Sequence, residues 1–442
     1  MHRSHLHSRT RKWSVLRGLP PQFAGLLRAH VLRTIASDML SFFSPIFVYL
    51  LGYRWWVNAQ SRVFEDLSPY VVGLGAVSVF FMIEKISHAL VARMLPNILR
   101  RMSVTKSMMM SMVFLLVGSF ALIFVDQSPI FLLVSAVLFG AEVALYWVPF
   151  HLLVTEHLEK KNMSKEFTLS RGIELMIHAS FPLLGAWIIT TQGFPVLFTL
   201  CFFLFALASL ALFPMRHIRI TSTNEKNEKN EKNEKKTNET AKHIHDNHLL
   251  PNHMRIAVLG SSVQTTMAIL WTVFIFSIVG TFSQFGSFFT LSSWMGVCAV
   301  FLIGFLPSER VRVRVFALAS LALALLWFTR GLGQFFIFSI ELFFLIEVFE
   351  FLFSSVQVPL FESFLYQQFQ TKTLFRHIIE LERFSATREM QIWICILFVI
   401  IAFGSARSVP FFGAFGSLCV MLLLRVTRDM RAQHAKKLVE RT

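Results

Sequence analysis

Twelve apolar stretches, each long enough to cross a bilayer, dominate this sequence, and a polar segment at 216–253 separates them into two groups of six. A membrane-spanning helix needs about 20 predominantly apolar residues to cross roughly 30 Å of hydrocarbon. The chain is therefore predicted to be an all-α polytopic membrane protein with twelve transmembrane helices. We place the spans at 36–53, 68–92, 105–125, 129–153, 169–190, 193–214, 256–281, 286–306, 313–329, 333–360, 389–405 and 408–425.

The composition supports a membrane protein. Hydrophobic residues make up 55% of the chain and charged residues only 15%, whereas roughly a quarter of a soluble domain is charged. The strands of a membrane β-barrel alternate between apolar and polar residues over about 10 positions. The stretch 107–125 is continuously apolar instead, so the spans are helices.

The net charge of +16 could indicate nucleic-acid binding, so the distribution of the basic residues matters. With the amino terminus in the cytoplasm, most of the 42 Lys and Arg residues fall in the two terminal segments and in the even-numbered connections. The positive-inside rule produces this asymmetry. We therefore predict a multi-pass protein of the plasma (inner) membrane, with both termini cytoplasmic, lipids as neighbours and no nucleic-acid partner.

The polar interruption contains four Asn-Glu-Lys repeats, which are too polar to bury a core, so we predict a disordered linker. Two amphipathic stretches, 13–35 and 368–388, are predicted to lie on the membrane surface. The predicted domains are a basic segment with an interfacial helix at 1–35, a six-helix bundle at 36–215, the linker at 216–253, a second bundle at 254–426 and a tail at 427–442.

The sequence contains few signs of a cofactor or metal. All four cysteines lie within apolar spans, which implies no disulfide framework. His243, His245 and His248 are spaced closely enough to share a metal. Neither Cys nor a fixed scaffold accompanies them, so we interpret them as part of a solvated polar linker. There is no P-loop or dinucleotide fingerprint. We predict no metal, no cofactor and no ATP-driven pump.

The two halves resemble each other. In the fourth span Pro149 precedes a charged connection, and Pro359 takes the same place in the tenth span. Two apolar halves with matching fourth spans indicate an internal duplication. Parallel repeats of six helices are typical of certain secondary transporters.

The six-plus-six layout, the long central loop and the basic connection after the second span together resemble the major facilitator superfamily. Of that family's signature between spans 2 and 3, the segment 93–106 keeps the basic end, and the connection at 307–314 is similarly basic. In the fifth span Pro182 and Gly185 match part of an antiporter-type pattern. The resemblance implies that cytoplasmic gating involves Arg100, Arg101, Lys106, Arg310 and Arg312.

Charged residues inside spans are costly and are functional candidates by default. Several lie in pairs on one helix face, at i, i+3 or i, i+4. The candidates for proton coupling or substrate binding are Asp38, Glu84, His88, Glu142, Glu174, His178, Glu347 and Glu350. A structural interpretation is open for three of them. Asp38 could cap a helix, Glu84 could pair with Lys85, and Glu174 could pair with Arg171.

These observations predict a secondary active transporter that moves a small solute by alternating access, with proton coupling through the intramembrane carboxylates. We expect it to act as a monomer and not as an enzyme, since only His151 and Glu156 approach a reactive pair. The alternative is a lipid-handling or non-transporting membrane protein on the same fold, which the reduced loop signature and the Phe-rich spans would suit.

Overall fold

A computed structural model describes residues 21–59, 68–157, 163–215, 250–304, 309–333, 339–368, 374–403 and 409–424. Within these ranges the chain forms twelve α-helices and one short 3₁₀ turn at Phe213–Met215, with no strand. The helices are α1 Pro21–Ala59, α2 Pro69–Arg101, α3 Val104–Ile123, α4 Ile130–His157, α5 Met163–Gln192, α6 Phe194–Leu212, α7 Asn252–Val279, α8 Phe282–Gly304, α9 Glu309–Gly333, α10 Ile340–Gln368, α11 Leu374–Phe403 and α12 Val409–Val420.

Local sequence explains several helix ends. The Ser103 hydroxyl caps α3 by accepting the Lys106 N–H at 3.3 Å, which satisfies one of the free donors of the first turn. Gly193 (φ 85°) joins α5 to α6, and Gly280 (φ 77°) ends α7. Both glycines occupy left-handed backbone that residues with a Cβ rarely adopt, so they permit these two tight reversals.

Each predicted span corresponds to one helix, which confirms the all-α class and the number of spans. Ten helices are long and apolar enough to cross a membrane, and α12 contains a shorter apolar stretch. The helix α5 carries charged residues in its first half, which explains why its hydropathy is lower. The domain boundaries given above remain predictions.

Two helices extend furthest beyond their predicted spans. The helix α1 begins at Pro21 rather than at 36, so residues 21–35 continue the first span. The helix α11 begins at Leu374, and the prediction that 368–388 lies on the membrane surface is wrong for residues 374–388. In both segments charged side chains pair with other helices, and this pairing allows them to be buried.

The packing of the helices repeats with a period of six. In the first half α1 packs on α6, α3 packs on α4 and α6, and α2 packs on α4. In the second half α7 packs on α12, α9 on α10 and α12, and α8 on α10. The predicted pair of pseudo-repeated six-helix bundles is therefore confirmed.

The two halves meet mainly through two helix pairs, α5 with α8 and α2 with α11. These pairs correspond to each other under the same six-helix shift. A further contact joins α1 to α7. Any relative motion of the halves must therefore change the α2–α11 and α5–α8 contacts.

Successive helices run in opposite directions, so helix ends alternate between two faces of the bundle. The basic face, as we call it, carries the α2–α3 connection and the beginning of α9, where Arg100, Arg101, Lys106 and Arg310 are exposed. The opposite face carries the Gly193 and Gly280 turns.

Candidate functional site

The first buried charge network lies within the first half and joins α1 to α4. One Arg33 amino group, Nη2, donates to both carboxylate oxygens of Glu142, at 3.0 and 3.1 Å. The guanidinium also lies 3.8 Å from the centre of the Tyr146 ring and 5.1 Å from that of Trp147. Aromatic faces attract cations, and both charged side chains are almost fully buried. We call this group the Arg33 network.

Two histidine–carboxylate contacts join α1 to α5 beside the Arg33 network. His30 Nε2 lies 2.9 Å from Glu174 Oε1, and its Nδ1 lies 2.7 Å from the Tyr146 hydroxyl. Further along α1, Asp38 Oδ2 lies 3.3 Å from His178 Nδ1. Each of these pairs can hold a proton that either partner carries.

The second network lies within the second half, where α9, α10 and α7 meet. Arg330 donates to Glu347 at 2.6 Å and lies 3.6 Å from Glu350. The Trp271 indole N–H donates to the same Glu347 oxygen at 2.8 Å. The guanidinium lies 4.7 Å from the Trp271 ring and 4.4 Å from the Trp327 ring. We call this group the Arg330 network.

The third network joins the two halves and lies between α2 and α11. The Lys85 ammonium contacts Glu84 Oε1 at 3.0 Å and Glu389 Oε2 at 3.1 Å. One helical turn away, His88 Nε2 lies 2.8 Å from Glu382 Oε1. Glu382 and Glu389 belong to the second half, whereas Lys85 and His88 belong to the first. We call this group the Lys85 network.

A cavity of about 180 Å³ lies beside the Lys85 network, enclosed by α7, α10, α11 and α12. Its lining combines apolar side chains with hydroxyl, amide and carboxylate groups. Ligand sites typically combine an apolar wall with a few convergent polar groups. The polar side chains that matter most for the chemistry of this cavity are Gln264, Gln357, Glu362, Glu382, Ser385 and Glu389.

Toward the opposite face, the halves meet through apolar contacts instead of charges. The Phe42 ring of α1 lies 5.2 and 4.9 Å from the rings of Phe285 and Phe289 on α8. A Cβ at Gly286 would come within 2.5 Å of the Ala186 Cβ and within 2.6 Å of a carbonyl oxygen of α5. We call this contact, made by Phe42, Ala186, Phe285, Gly286 and Phe289, the apolar seam.

The structure pairs the predicted site residues differently from the sequence analysis. Glu84 and His88 share a helix face but contact Lys85 and Glu382 instead of each other. Glu84 does pair with Lys85, as the structural alternative proposed, although Lys85 also reaches the other half.

The remaining candidates also have partners that the sequence analysis did not foresee. Glu174 and His178 contact two different residues of α1. Asp38 lies well inside α1, so it does not cap that helix. Glu347 and Glu350 do come together, on Arg330.

Five site residues were missed by sequence reasoning. The two on α1 and Glu382 on α11 lay in segments assigned to the membrane surface, Glu389 lay at the edge of the eleventh predicted span, and the one on α9 lay in a predicted loop. The only signal that could have found them was indirect. A charged residue within another apolar span needs a partner, and that need implies that a residue of opposite charge lies near it in the fold. The missed residues are His30, Arg33, Arg330, Glu382 and Glu389.

The gating candidates Arg100, Arg101, Lys106, Arg310 and Arg312 all lie on the basic face, outside the three networks. The histidines of the linker at 216–249 lie outside the described residues. Within the described ranges no group of three or more His, Cys, Asp or Glu side chains could hold a metal ion.

Comparison with known proteins agrees with this architecture. The family model of the Major Facilitator Superfamily matches residues 29–374. The chain belongs to the major facilitator superfamily. The members of this family are transporters rather than enzymes, and the protein is accordingly a multi-pass membrane transporter. No curated protein sequence matches the chain.

Solved structures of transporters share the fold at low sequence identity. The human organic anion transporter MFSD10 (TETRAN) is 12% identical with a TM-score of 0.60, over 92% of this chain and 100% of that one. A D-xylose-proton symporter is 11% identical with a TM-score of 0.63, over 89% and 96%. The POT family transporter PepTSo is 11% identical with a TM-score of 0.65, over 94% and 99%. At this level of identity the likeness concerns the fold alone.

Proposed function

We propose that the protein is a proton-coupled secondary active transporter that moves a small solute by alternating access. The observation that carries the proposal is the Lys85 network, which places titratable side chains between the two halves. Motion of one half against the other separates Lys85 from Glu389 and His88 from Glu382. The free energy of that separation depends on which of these groups carry protons.

Proton coupling is further supported by the histidine–carboxylate pairs on α1 and α5. His30 with Glu174 and His178 with Asp38 lie within one half, so they can exchange protons without breaking the contact between the halves. The transporters of similar fold include a D-xylose-proton symporter, which is consistent with a proton as the coupling ion. We place the protein in the plasma membrane, as a monomer with both termini cytoplasmic.

Two measurements test this proposal. The purified full-length protein is first screened by thermal unfolding against sugars, amino acids, peptides and organic ions, because a ligand at a hundred times its Kd adds about 2.7 kcal/mol of stability. Each solute that stabilises the protein is then offered to proteoliposomes with and without a pH gradient. Uptake should follow the gradient, and Glu382→Gln should weaken this dependence. His253→Gln, a histidine at the start of α7 outside the networks, serves as the control.

If the rate of uptake is independent of the pH gradient in both the natural protein and Glu382→Gln, the proposal of proton coupling is wrong. Movement of fluorescent lipids between the leaflets, with no response to any small solute, would favour the lipid-handling alternative.

A further inference from the structure

We propose that the cavity beside the Lys85 network binds a small organic cation, an alkylammonium or alkylguanidinium group, as the transported solute or as its charged end. This inference rests on the proposed transport function and names the substrate class for that site.

The lining of the cavity has the chemistry for such a ligand. Three carboxylates, Glu362, Glu382 and Glu389, contribute to it, and the residues that line it include no Lys, Arg or His. Hydroxyl and amide groups provide further acceptors for N–H donors. At about 180 Å³ the cavity is smaller than the roughly 300–1,000 Å³ of drug-sized sites. It therefore suits a small solute, or only the charged end of a longer one.

The charges at the cavity wall are not balanced. In the Lys85 network, the carboxylates of Glu84, Glu382 and Glu389 face the Lys85 ammonium and the His88 imidazole. The His151 imidazole also lies close enough to interact with Glu382. While both imidazoles are neutral, the three carboxylates exceed the one ammonium by two negative charges. A buried carboxylate without a counter-charge is strongly unfavourable, so the network favours an additional cation or a proton.

Three arginines of α7 and α11 are engaged elsewhere or directed outward. Arg255 of α7 lies 3.5 Å from Glu380, which is outside the cavity lining. Arg388 donates to Gln391 at 2.7 Å, and Arg383 is exposed. None of these three lines the cavity. Among the described side chains no Lys, Arg or His lines the cavity, so a ligand or a proton can supply the charge that is missing at its wall.

The partners of the two cavity carboxylates lie on the first half, whereas the cavity lies in the second. Ligand binding is therefore coupled to the relative motion of the two halves. Lys85 and His88 belong to α2, whereas Glu382 and Glu389 belong to α11 and line the cavity. When the halves separate at this contact, Glu389 loses its contact with Lys85 and Glu382 loses its contact with His88. A bound organic cation replaces the Lys85 ammonium at Glu389. Such a ligand binds more tightly to the separated state and therefore shifts the population toward it.

Four probes of similar size and different charge test the inference on the full-length protein in detergent. Butylammonium and butylguanidinium are compared with butyrate and butanol by thermal unfolding at about pH 8, where a histidine of ordinary pKa carries no proton. We expect the two cations, and neither of the other probes, to raise the unfolding midpoint. Glu389→Gln should weaken cation binding about tenfold or more. Glu380→Gln removes an acid from the same helix outside the cavity and should bind the cations as the natural protein does.

A second variant separates ligand binding from a structural role of the network. Lys85→Gln removes the internal competitor and should bind the cations about tenfold more tightly, since a tenfold change corresponds to about 1.4 kcal/mol. The double variant Lys85→Gln/Glu389→Gln removes one positive and one negative charge together, and should fold but lose this gain. The gain and its loss together support the site.

Equal stabilisation by butanol or butyrate would overturn the inference, as would unchanged cation binding in Glu389→Gln or no cation binding in Lys85→Gln. Its failure is distinguishable from failure of the proposed function. Proton-coupled uptake of another class of solute without cation binding defeats only the inference. Cation binding without any uptake leaves the site in place and defeats the transport proposal.

Discussion

The Arg330 and Lys85 networks have similar chemistry but different positions relative to the two halves. In both, a buried cation contacts two glutamates. All members of the Arg330 network belong to the second half, and the two Trp rings beside the guanidinium enclose it. The Lys85 network has its cation on one half and two of its glutamates, Glu382 and Glu389, on the other. The first therefore persists when the halves move, whereas the second must break.

This difference separates structural buried charges from functional ones. Removing one partner of a buried ion pair typically costs about 3–5 kcal/mol, because a charge is left without compensation. In the Arg330 network only unfolding can hydrate that charge. In the Lys85 network separation of the halves can hydrate it, so the same kind of mutation should change conformation rather than stability.

The largest effect is expected for Arg330→Met, which leaves Glu347 and Glu350 buried without a cation. We expect the free energy of unfolding to fall by about 3–5 kcal/mol, measured by thermal or denaturant unfolding in detergent. Arg54→Met is the control, because its pair with Asp126 is more than half exposed, and exposed pairs contribute about 0–1 kcal/mol. Equal losses in both variants would contradict a structural role specific to Arg330.

The comparison is sharpened by Lys85→Met, which breaks the network between the halves. We expect a cysteine placed at Ser385, on the cavity wall, to react about thirtyfold faster with a thiol reagent, as about 2 kcal/mol of interaction between the halves is lost. The exposed native Cys298 and Cys395 are replaced beforehand. Arg54→Met, which removes an exposed arginine outside the networks, should leave the rate unchanged. A large loss of stability without faster labelling would mean that the Lys85 network has a structural role, as the Arg330 network does.

The apolar seam should respond to steric change. Gly286→Ala adds a Cβ that must push α8 away from α5, and overpacking costs about 1–3 kcal/mol. We expect a cysteine at Thr290, whose hydroxyl accepts the Leu183 N–H at 3.0 Å, to react about fivefold faster or more. Gly75→Ala adds the same atom where nothing lies within 4 Å. Unchanged labelling in Gly286→Ala would mean that the seam does not hold the halves together.

The smallest effect is expected from His88→Gln, which replaces the imidazole at Glu382 with an amide that can still donate a hydrogen bond. A hydrogen bond contributes about 0.5–1.5 kcal/mol, and only part of it is lost here. Labelling of the Ser385 cysteine should therefore be a few-fold faster than in the natural protein, and His253→Gln should leave the rate unchanged. Equal rates in the two variants would mean that the contact between His88 and Glu382 does not hold the halves together.

Much of the fold could be predicted because hydropathy is a local property. Twelve apolar stretches predicted twelve helices, and the matching prolines of spans 4 and 10 predicted the duplication. The errors lie where charges enter a span. Residues 21–35 and 374–388 contain several charged side chains and were assigned to the membrane surface, because from sequence alone a charge is assumed to face water.

Only part of the site could be predicted: the sequence identified several of the buried charges but not their partners. Glu142 was a candidate because it lies in an apolar stretch, but its partner Arg33 is 109 positions away. The partner of His88 is 294 positions away. The sequence identifies charges that need compensation, whereas only the packing of the helices shows which residue provides it.

The apolar seam and the Lys85 network also differ in their response to temperature. Contacts between apolar surfaces weaken on cooling, since their strength near room temperature is largely entropic. The desolvation penalty of an ion pair also rises on cooling, but an ion pair lacks the large heat-capacity change that accompanies apolar burial. Cooling should therefore loosen the Phe42–Phe285–Phe289 contact more than the Lys85 contact, and shift the resting protein toward the state open at the opposite face. Structures determined at low temperature and transport measured in warm cells would then sample different proportions of the two states.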